Sequence, residues 1–90
     1  MRIPFYTRQF KKDLKLSQKR DKDIKKLKEI MSALIEGGEL AGKYKDHPLQ
    51  GVLNEYRECH IEPDWLLIYR ATTKEIIFER TGTHSDLFKK

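Results

Sequence analysis

Cysteine and long apolar runs are scarce in this 90-residue chain. The single cysteine, Cys59, cannot form a disulfide within the chain, and no pair of cysteines offers the spacing of a zinc site. No apolar run approaches the roughly 18 residues that a membrane span requires, and the first residues lack the apolar stretch of a signal peptide. We therefore expect a cytoplasmic protein that does not associate with a membrane.

Several enzyme motifs are also missing. There is no GxSxG segment for a serine hydrolase and no GxxxxGK[ST] loop for nucleotide phosphates, so we expect no cofactor. Three histidines and a carboxylate are acceptable ligands for zinc or iron. Their spacing matches no metal signature such as HExxH, and Arg80 in the same region would repel a cation. Metal binding is therefore the less favoured alternative, and we expect none.

Positive charge is abundant and unevenly distributed. The chain carries a net charge of +5, and between Arg8 and Lys28 ten lysines and arginines face three aspartates. Such a block attracts polyanions, RNA in particular, although a solvated helical face is the ordinary alternative. The candidate RNA-binding residues in the block are Lys11, Lys12, Lys15, Lys19, Arg20, Lys22, Lys25 and Lys26.

The first half of the chain predicts an edge strand and two helices. Ile3–Tyr6 is a short apolar run with a proline, and Thr7 is a plausible cap for a helix that follows. We expect a break at Ser17–Arg20 and a second helix capped by Asp21. Its apolar residues recur at three- and four-residue spacing until two glycines end it.

The second half predicts a loop and then a sheet. Pro48 and Gly51 mark a loop over residues 41–51, and strand-like runs follow at Glu55–Ile61, Trp65–Tyr69 and Glu75–Arg80. Their short connections require antiparallel neighbours, and the middle run, apolar on both faces, should be central. Residues 85–88 form a turn or short helix. We expect one α+β domain over residues 1–90.

Four polar residues could meet at one rim of this sheet. His60 and Asp64 flank one tight turn, Arg80 ends the last strand, and His84 follows four residues later. Only His47 depends on the fold to bring it near. Each residue also has an ordinary interpretation: a surface histidine, an Asx turn, or a salt bridge from Arg80 to Glu62 or Glu79. Trp65 and Phe88, taken alone, are more typical of core residues than of base-stacking platforms.

Three segments carry a resemblance to a known family: residues 44–51 (YKDHPLQG), 56–69 (YRECHIEPDWLLIY) and 78–88 (FERTGTHSDLF). Over nearly its whole length the chain resembles YafQ-type toxins of the RelE/ParE superfamily of bacterial toxin–antitoxin systems. The resemblance implies a RelE-like microbial RNase fold, in which two N-terminal helices pack on a twisted antiparallel sheet. It also implies a ribosome-dependent mRNA endonuclease that cleaves codons in the A site without metal, and a cognate antitoxin.

The resemblance also implies which residues act in cleavage. In this chemistry the RNA 2′-hydroxyl attacks the adjacent phosphorus, and the 5′-oxygen leaves. We expect Arg80 to bind the phosphate and His84 to be the general acid, with Asp64 or His60 as the base. Asp64 orienting a histidine is the alternative, and His47 would assist either step or contact phosphate.

Two aromatic residues and the basic block complete the implied site. Trp65 and Phe88 would position the mRNA by stacking or packing, and the lysine-rich helices would hold ribosomal RNA. Two other functions stay open: a ParE-like poison of DNA gyrase, which would not need the histidines, and a non-catalytic RNA-binding module, which would need only the basic face and the aromatics.

The basic block predicts salt-sensitive binding. Because each phosphate contact releases condensed counterions, raising the salt concentration should weaken association of the purified protein with ribosomes steeply. The measurement is the dissociation constant across a series of salt concentrations. An affinity that stays flat across the series would remove the docking role from the Arg8–Lys28 block.

Overall fold

A computed structural model describes residues 1–49, 51 and 55–88. In chain order the elements are β1 (Ile3–Tyr6), α1 (Arg8–Lys19), α2 (Ile24–Ile35), a 3₁₀ turn (Gly42–Tyr44), β2 (His47–Pro48), β3 (Arg57–Glu62), β4 (Trp65–Ala71), β5 (Glu75–Gly82) and α3 (His84–Leu87). The α+β class is confirmed: two helices precede the main strands and pack on the sheet. None of the helices among these residues is long and apolar enough to cross a membrane.

Helix α1 begins as predicted and ends later than predicted. The Thr7 hydroxyl accepts a hydrogen bond of 2.9 Å from the Phe10 amide, which satisfies one free donor of the first turn. The break expected at Ser17–Arg20 begins only at Arg20, because the helix continues to Lys19. Ser17 is buried, and its hydroxyl donates to the carbonyl of Asp13 at 3.0 Å. This bond to the preceding turn accommodates the polar side chain inside the helix.

Helix α2 is capped by a different aspartate from the predicted one. The Asp23 carboxylate accepts a hydrogen bond from the Lys26 amide at 3.3 Å, whereas Asp21 lies in the turn before it with φ of 57°. The short polar side chain of aspartate tolerates this left-handed conformation better than most. The helix ends as predicted before Gly37, whose φ of 85° suits a residue without a Cβ.

The sheet has five strands in the order β1-β5-β4-β3-β2. Strands β2 to β5 pair with one another in antiparallel fashion, and β4 is central, as predicted. Strand β1 is an edge strand as predicted, but it pairs in parallel with β5, Ile3 lying opposite Glu75. The sheet is therefore mixed. The long connection through two helices permits this parallel pairing, which a hairpin could not provide.

Strand β4 is buried on both faces, as its apolar sequence predicted. Trp65, Leu67 and Tyr69 belong to the core cluster, together with Phe10 of α1 and Leu27 of α2. Its alternate residues, Leu66 and Ile68, are buried too but lie outside that cluster, as expected for side chains that alternate between the two faces of a strand.

The predicted loop over residues 41–51 contains regular structure that the sequence did not indicate. A 3₁₀ turn occupies Gly42–Tyr44, and the two-residue strand β2 pairs with β3 so that His47 lies opposite Glu58. Gln50, within the same predicted loop, lies outside the described residues. So short a strand, containing a proline, has no periodicity by which to recognise it.

Candidate active site

Three imidazole rings form a row across one end of the sheet, which we call the histidine row: His47, His60 and His84. The ring centroids of His47 and His60 are 6.2 Å apart, and those of His60 and His84 are 5.9 Å apart. Backbone pairing produces this arrangement. Leu66 of β4 pairs with His60 on one side and with Gly82 on the other, and α3 begins with His84 two residues later.

His84 is held by Asp64. The ring Nδ1 lies 2.6 Å from Asp64 Oδ1, and the backbone amide of His84 donates to the same oxygen at 2.9 Å. These bonds, the backbone one first, lower the pKa of the Asp64 carboxyl below its usual value. Because the carboxylate occupies Nδ1, the free Nε2 of this exposed ring is the nitrogen that can meet a substrate.

A buried carboxylate lies between the other two rings. Glu58 is 7% exposed, and its Oε1 is 3.4 Å from His47 Nε2 and 3.8 Å from His60 Nε2. The ligand atoms of the three side chains all lie within 4.8 Å of one another, a separation that would suit a metal ion. Nδ1 of His60 is buried and has no hydrogen-bond partner among the described residues.

The segment before His47 is anchored to the sheet. Asp46 accepts a hydrogen bond of 3.0 Å from Arg57 Nε and one of 2.8 Å from the Tyr69 hydroxyl. Burial and the Asp46 carboxylate together raise the pKa of Tyr69 well above its usual value, so the hydroxyl stays a donor. His47 Nδ1 lies 3.1 Å from the Pro48 carbonyl. The other ring nitrogen, Nε2, faces the Glu58 carboxylate at 3.4 Å, so these two contacts orient the His47 ring.

Arg80 is engaged by an acid on the helical layer. Its Nε and Nη2 donate to the Asp13 carboxylate at 2.7 and 3.2 Å, and this pairing is the main reason that the pKa of the guanidinium is raised. The ordinary partners considered from sequence, Glu62 and Glu79, are not used: Glu79 pairs with Arg70 at 2.7 Å, and Glu62 lies 3.9 Å from Lys26.

Helix α3 is fixed by an ion pair from Arg20, the residue directly after α1. Thr83, directly before His84, and Asp86 form a reciprocal capping box at the start of the helix. Arg20 Nη1 donates to the Asp86 carboxylate at 2.7 Å, and this bond is the first cause of an Asp86 pKa of about 2. Arg20, one of the predicted RNA-binding residues, therefore also has a structural contact.

The two aromatic candidates have different environments. Trp65 is fully buried in the core, whereas Phe88 is 36% exposed. Trp65 can thus support the site only by packing, with Lys22 Nζ 5.8 Å from the centre of its ring. Cys59, the lone cysteine, is also buried, and burial raises the pKa of its thiol to about 12. An unreactive, protonated thiol is a packing residue.

The basic residues cover the helical side and border a groove. The predicted RNA-binding residues are exposed, except Lys22 and Lys26, which are half-buried. A groove of about 320 Å³ opens beside His60 and is lined by Lys26, Lys43 and Lys45 among others. Positive charge thus extends from the helices to the histidine row.

The sequence and the fold of this chain are similar to those of known bacterial toxins. Residues 2–89 match a family described as the bacterial toxin of type II toxin–antitoxin system, YafQ. The mRNA interferase toxin YafQ of Escherichia coli K12 is 56% identical over 84 residues, which cover 92% of this chain and 91% of the relative. The chain belongs to the YafQ toxin family.

Solved structures of YafQ-family and related toxins have the same fold. The crystal structure of the E. coli DinJ-YafQ toxin-antitoxin complex contains a chain with 55% sequence identity and a TM-score of 0.92, and the match covers 97% of both chains. A metal-bound toxin from Helicobacter pylori matches with 42% identity and a TM-score of 0.90, over 98% of this chain and 100% of the other.

Two acidic residues of this YafQ-family toxin were missed from sequence. Glu58 lies two residues before His60 on β3, so both point to the same face, and that spacing was visible. Asp13 follows Phe10 by three residues and precedes Leu14, which puts an acid on the apolar face of α1. A charged residue among core positions could have pointed to Asp13. Its partner Arg80 could not be recognised in this way, because it lies 67 residues away in the sequence.

The Asp64 contacts predict how this YafQ-family toxin responds to acid. In the folded protein Asp64 should titrate below the usual value of about 3.9. Replacing His84 by alanine removes the side-chain bond but keeps the backbone bond, so the titration midpoint should rise only part of the way back. Carboxyl ¹³C NMR against pH measures both midpoints.

The lowered pKa of Asp64 also makes the stability of the fold depend on pH. Because its pKa is lower in the folded state than in the unfolded state, Asp64 stabilises the fold above the unfolded-state value, and this contribution disappears as pH falls through the folded-state value. A midpoint that is identical in wild type and His84→Ala would contradict the side-chain contact.

Proposed function

We propose that this YafQ-family toxin is an mRNA interferase, a ribosome-dependent endoribonuclease that cleaves codons in the A site. The E. coli relative bears that name at 56% identity. The observation that carries the proposal is the 2.6 Å contact that holds His84 against Asp64, with the ring of His60 5.9 Å from that of His84. Two imidazoles at this spacing can reach the two oxygens that exchange protons at one phosphodiester.

His84 is the general acid of the proposed reaction. The 2′-hydroxyl loses its proton as its oxygen bonds to phosphorus, and the bond from phosphorus to the 5′-oxygen breaks. The products are a 2′,3′-cyclic phosphate and a 5′-hydroxyl, so the leaving oxygen must gain a proton. The exposed Nε2 of His84 supplies it, while Asp64 holds Nδ1 and fixes the ring orientation.

His60 is the base that takes the 2′ proton. Asp64 was the other candidate, but among the described residues both of its side-chain hydrogen bonds are with His84, which supports an orienting role instead. His60 Nε2 faces Glu58 Oε1 at 3.8 Å, so that a proton taken up by the ring lies beside a carboxylate. His47, on the far side of Glu58, contacts a phosphate oxygen of the bound strand.

Arg80 stabilises the charge that accumulates on the phosphate. A guanidinium binds two phosphate oxygens through its planar fork, and Asp13 occupies only Nε and one bond of Nη2, which leaves Nη1 for the substrate. Phe88, partly exposed just after α3, stacks against a nucleotide, and Trp65 supports the turn between His60 and Asp64 from the core.

The exposed lysines of α1 and α2 hold ribosomal RNA, and the lysine-lined groove beside His60 guides the message. The partner that restrains the toxin is a cognate antitoxin, supported by the DinJ complex of the E. coli relative. The toxin acts in the cytoplasm, where translating ribosomes are found. A gyrase poison would have no use for the contact between Asp64 and His84.

Loss of the general acid should slow cleavage strongly. The His84→Ala variant should cut mRNA on translating ribosomes about 10²–10⁴-fold more slowly, because general acid catalysis contributes about that much. Its Asp64 contact is exposed, so the fold should persist. Primer extension on a translated message, with and without ribosomes, measures the rate and the cut sites.

Ser85→Ala is the matched control, since Ser85 is the exposed neighbour of His84 in α3 and should keep wild-type activity. Cuts by wild type should fall in frame, need the ribosome, and leave a cyclic phosphate. Wild-type cleavage by His84→Ala would disprove the acid assignment. Cuts out of frame on free RNA would indicate a general nuclease, and the absence of cuts would favour a gyrase poison or a passive binder.

We further propose, as a second function of the same row, that His47, Glu58 and His60 bind a divalent transition-metal ion. Three ligand atoms within 4.8 Å support it, as does the contact of His47 Nδ1 with the Pro48 carbonyl, which orients the ring so that Nε2 faces Glu58. Two imidazoles and a carboxylate suit zinc or copper. The proposal departs from our expectation from sequence, and the metal-bound H. pylori toxin supports it.

Ligation would use ring nitrogens that proton transfer also needs, so metal binding should inhibit cleavage. Isothermal titration of the wild type with Zn²⁺ and with Cu²⁺ should give one equivalent bound at pH 7, and far weaker binding at pH 5, where protons compete for the imidazoles. Glu58→Gln should weaken binding at least tenfold, while His84→Ala should leave it unchanged. Equal affinity of Glu58→Gln and wild type would exclude this site.

A further inference from the structure

Asp13 is a charged residue among core positions of α1. It is 7% exposed, and four donors converge on its carboxylate: Arg80 Nε at 2.7 Å, Arg80 Nη2 at 3.2 Å, the Thr81 amide at 3.2 Å and Gln9 Nε2 at 3.1 Å. The pairing with Arg80 is the bidentate geometry in which a carboxylate restrains a guanidinium most strongly.

Stability alone is a poor reason for such a pair. Removing a carboxylate and a guanidinium from water is unfavourable, and apolar residues of similar volume usually stabilise a fold as well or better. A second ion pair shows what an ordinary pair looks like here: Arg70 and Glu79 meet at the same 2.7 Å across β4 and β5, with larger exposed fractions of 38% and 18%. Asp13 differs from Glu79 in its burial and its number of donors.

The backbone around Arg80 connects it to the site. Ile68 of β4 pairs with Arg80 on one side and with Glu58 on the other, so the three residues form one line across the sheet. Neighbouring strands lie about 4.8 Å apart, which puts the backbone of Arg80 about 10 Å from that of Glu58, a gap that the two side chains can span together. The guanidinium could therefore adopt many positions if nothing held it.

We propose that Asp13 is a positioning residue for RNA cleavage, which clamps Arg80 so that the free edge of its guanidinium meets the scissile phosphate. The inference rests on the proposed function of Arg80. Two donors of the guanidinium are turned inward to Asp13, while the side chain stays 35% exposed, so one edge is fixed and another is open. A restrained donor stabilises developing charge better than a mobile one, since it needs no reorganisation during the reaction.

The test is a double-mutant cycle on translating ribosomes. Asp13→Asn keeps the size of the side chain but loses its charge and the bidentate pair, and we expect kcat to fall about tenfold or more while KM changes less than threefold. The kcat of the Arg80→Ala variant should fall further than that of Asp13→Asn. If Asp13 acts through Arg80, adding Asp13→Asn to Arg80→Ala should lower kcat less than twofold, whereas a residue that only stabilises the fold would give independent losses.

Glu79→Gln is the matched control, because it breaks an arginine–carboxylate pair of equal length and should leave kcat within twofold of wild type. Thermal unfolding of every variant identifies losses that come from the fold. If Asp13→Asn does not fold, Asp13→Glu keeps the charge and moves the clamp by one methylene, and its kcat should fall below that of wild type.

The outcomes separate the two proposals. Wild-type cleavage by Arg80→Ala would remove the proposed role of Arg80 and the inference with it. A slow Arg80→Ala variant beside a folded Asp13→Asn or Asp13→Glu variant with wild-type kcat would overturn the clamp alone. A double variant whose loss of kcat equals the product of the two single losses would also overturn the clamp alone.

Discussion

The site depends on the two backbone ladders that flank β4. Through them Leu66 lies between His60 and Gly82, and Ile68 lies between Glu58 and Arg80. Residues from distant parts of the sequence are thus set at multiples of the strand spacing, which side-chain contacts alone could not fix as firmly. A register shift of one residue would turn every side chain of a strand to the opposite face, so the same ladders define both the core and the positions of His60 and His84 in the histidine row.

Local pattern predicted most of the fold. The stripe of α2, the doubly apolar β4 and the Thr7 cap each follow from periodicity or turn chemistry within a few residues. The errors lie where the deciding interaction is elsewhere. Ser17 lies inside the helix at a position that the rest of the fold buries, and β1 pairs with the edge of β5, which is distant in sequence.

The candidate site, too, could be predicted only in part from local sequence. His60 and Asp64 flank one turn, so the sequence alone predicts that they are close. The antiparallel meander then returns the chain and brings His84 beside Asp64. No local pattern could show that β2 would lay His47 opposite Glu58, or that Asp13 would hold Arg80. The family resemblance supplied candidate residues for the chemistry, but it did not supply the two acids that support them.

The parallel pairing of β1 with β5 has a consequence for synthesis. The two strands lie 72 residues apart along the chain, and α1 also packs on β5. Contacts of such separation are the slowest to form, because the intervening chain must first be ordered. A nascent polypeptide that lacks β5 would have neither the partner of Asp13 nor a place for β1 to dock. Assembly of the candidate site must therefore await the synthesis of β5 and of α3, which carries His84.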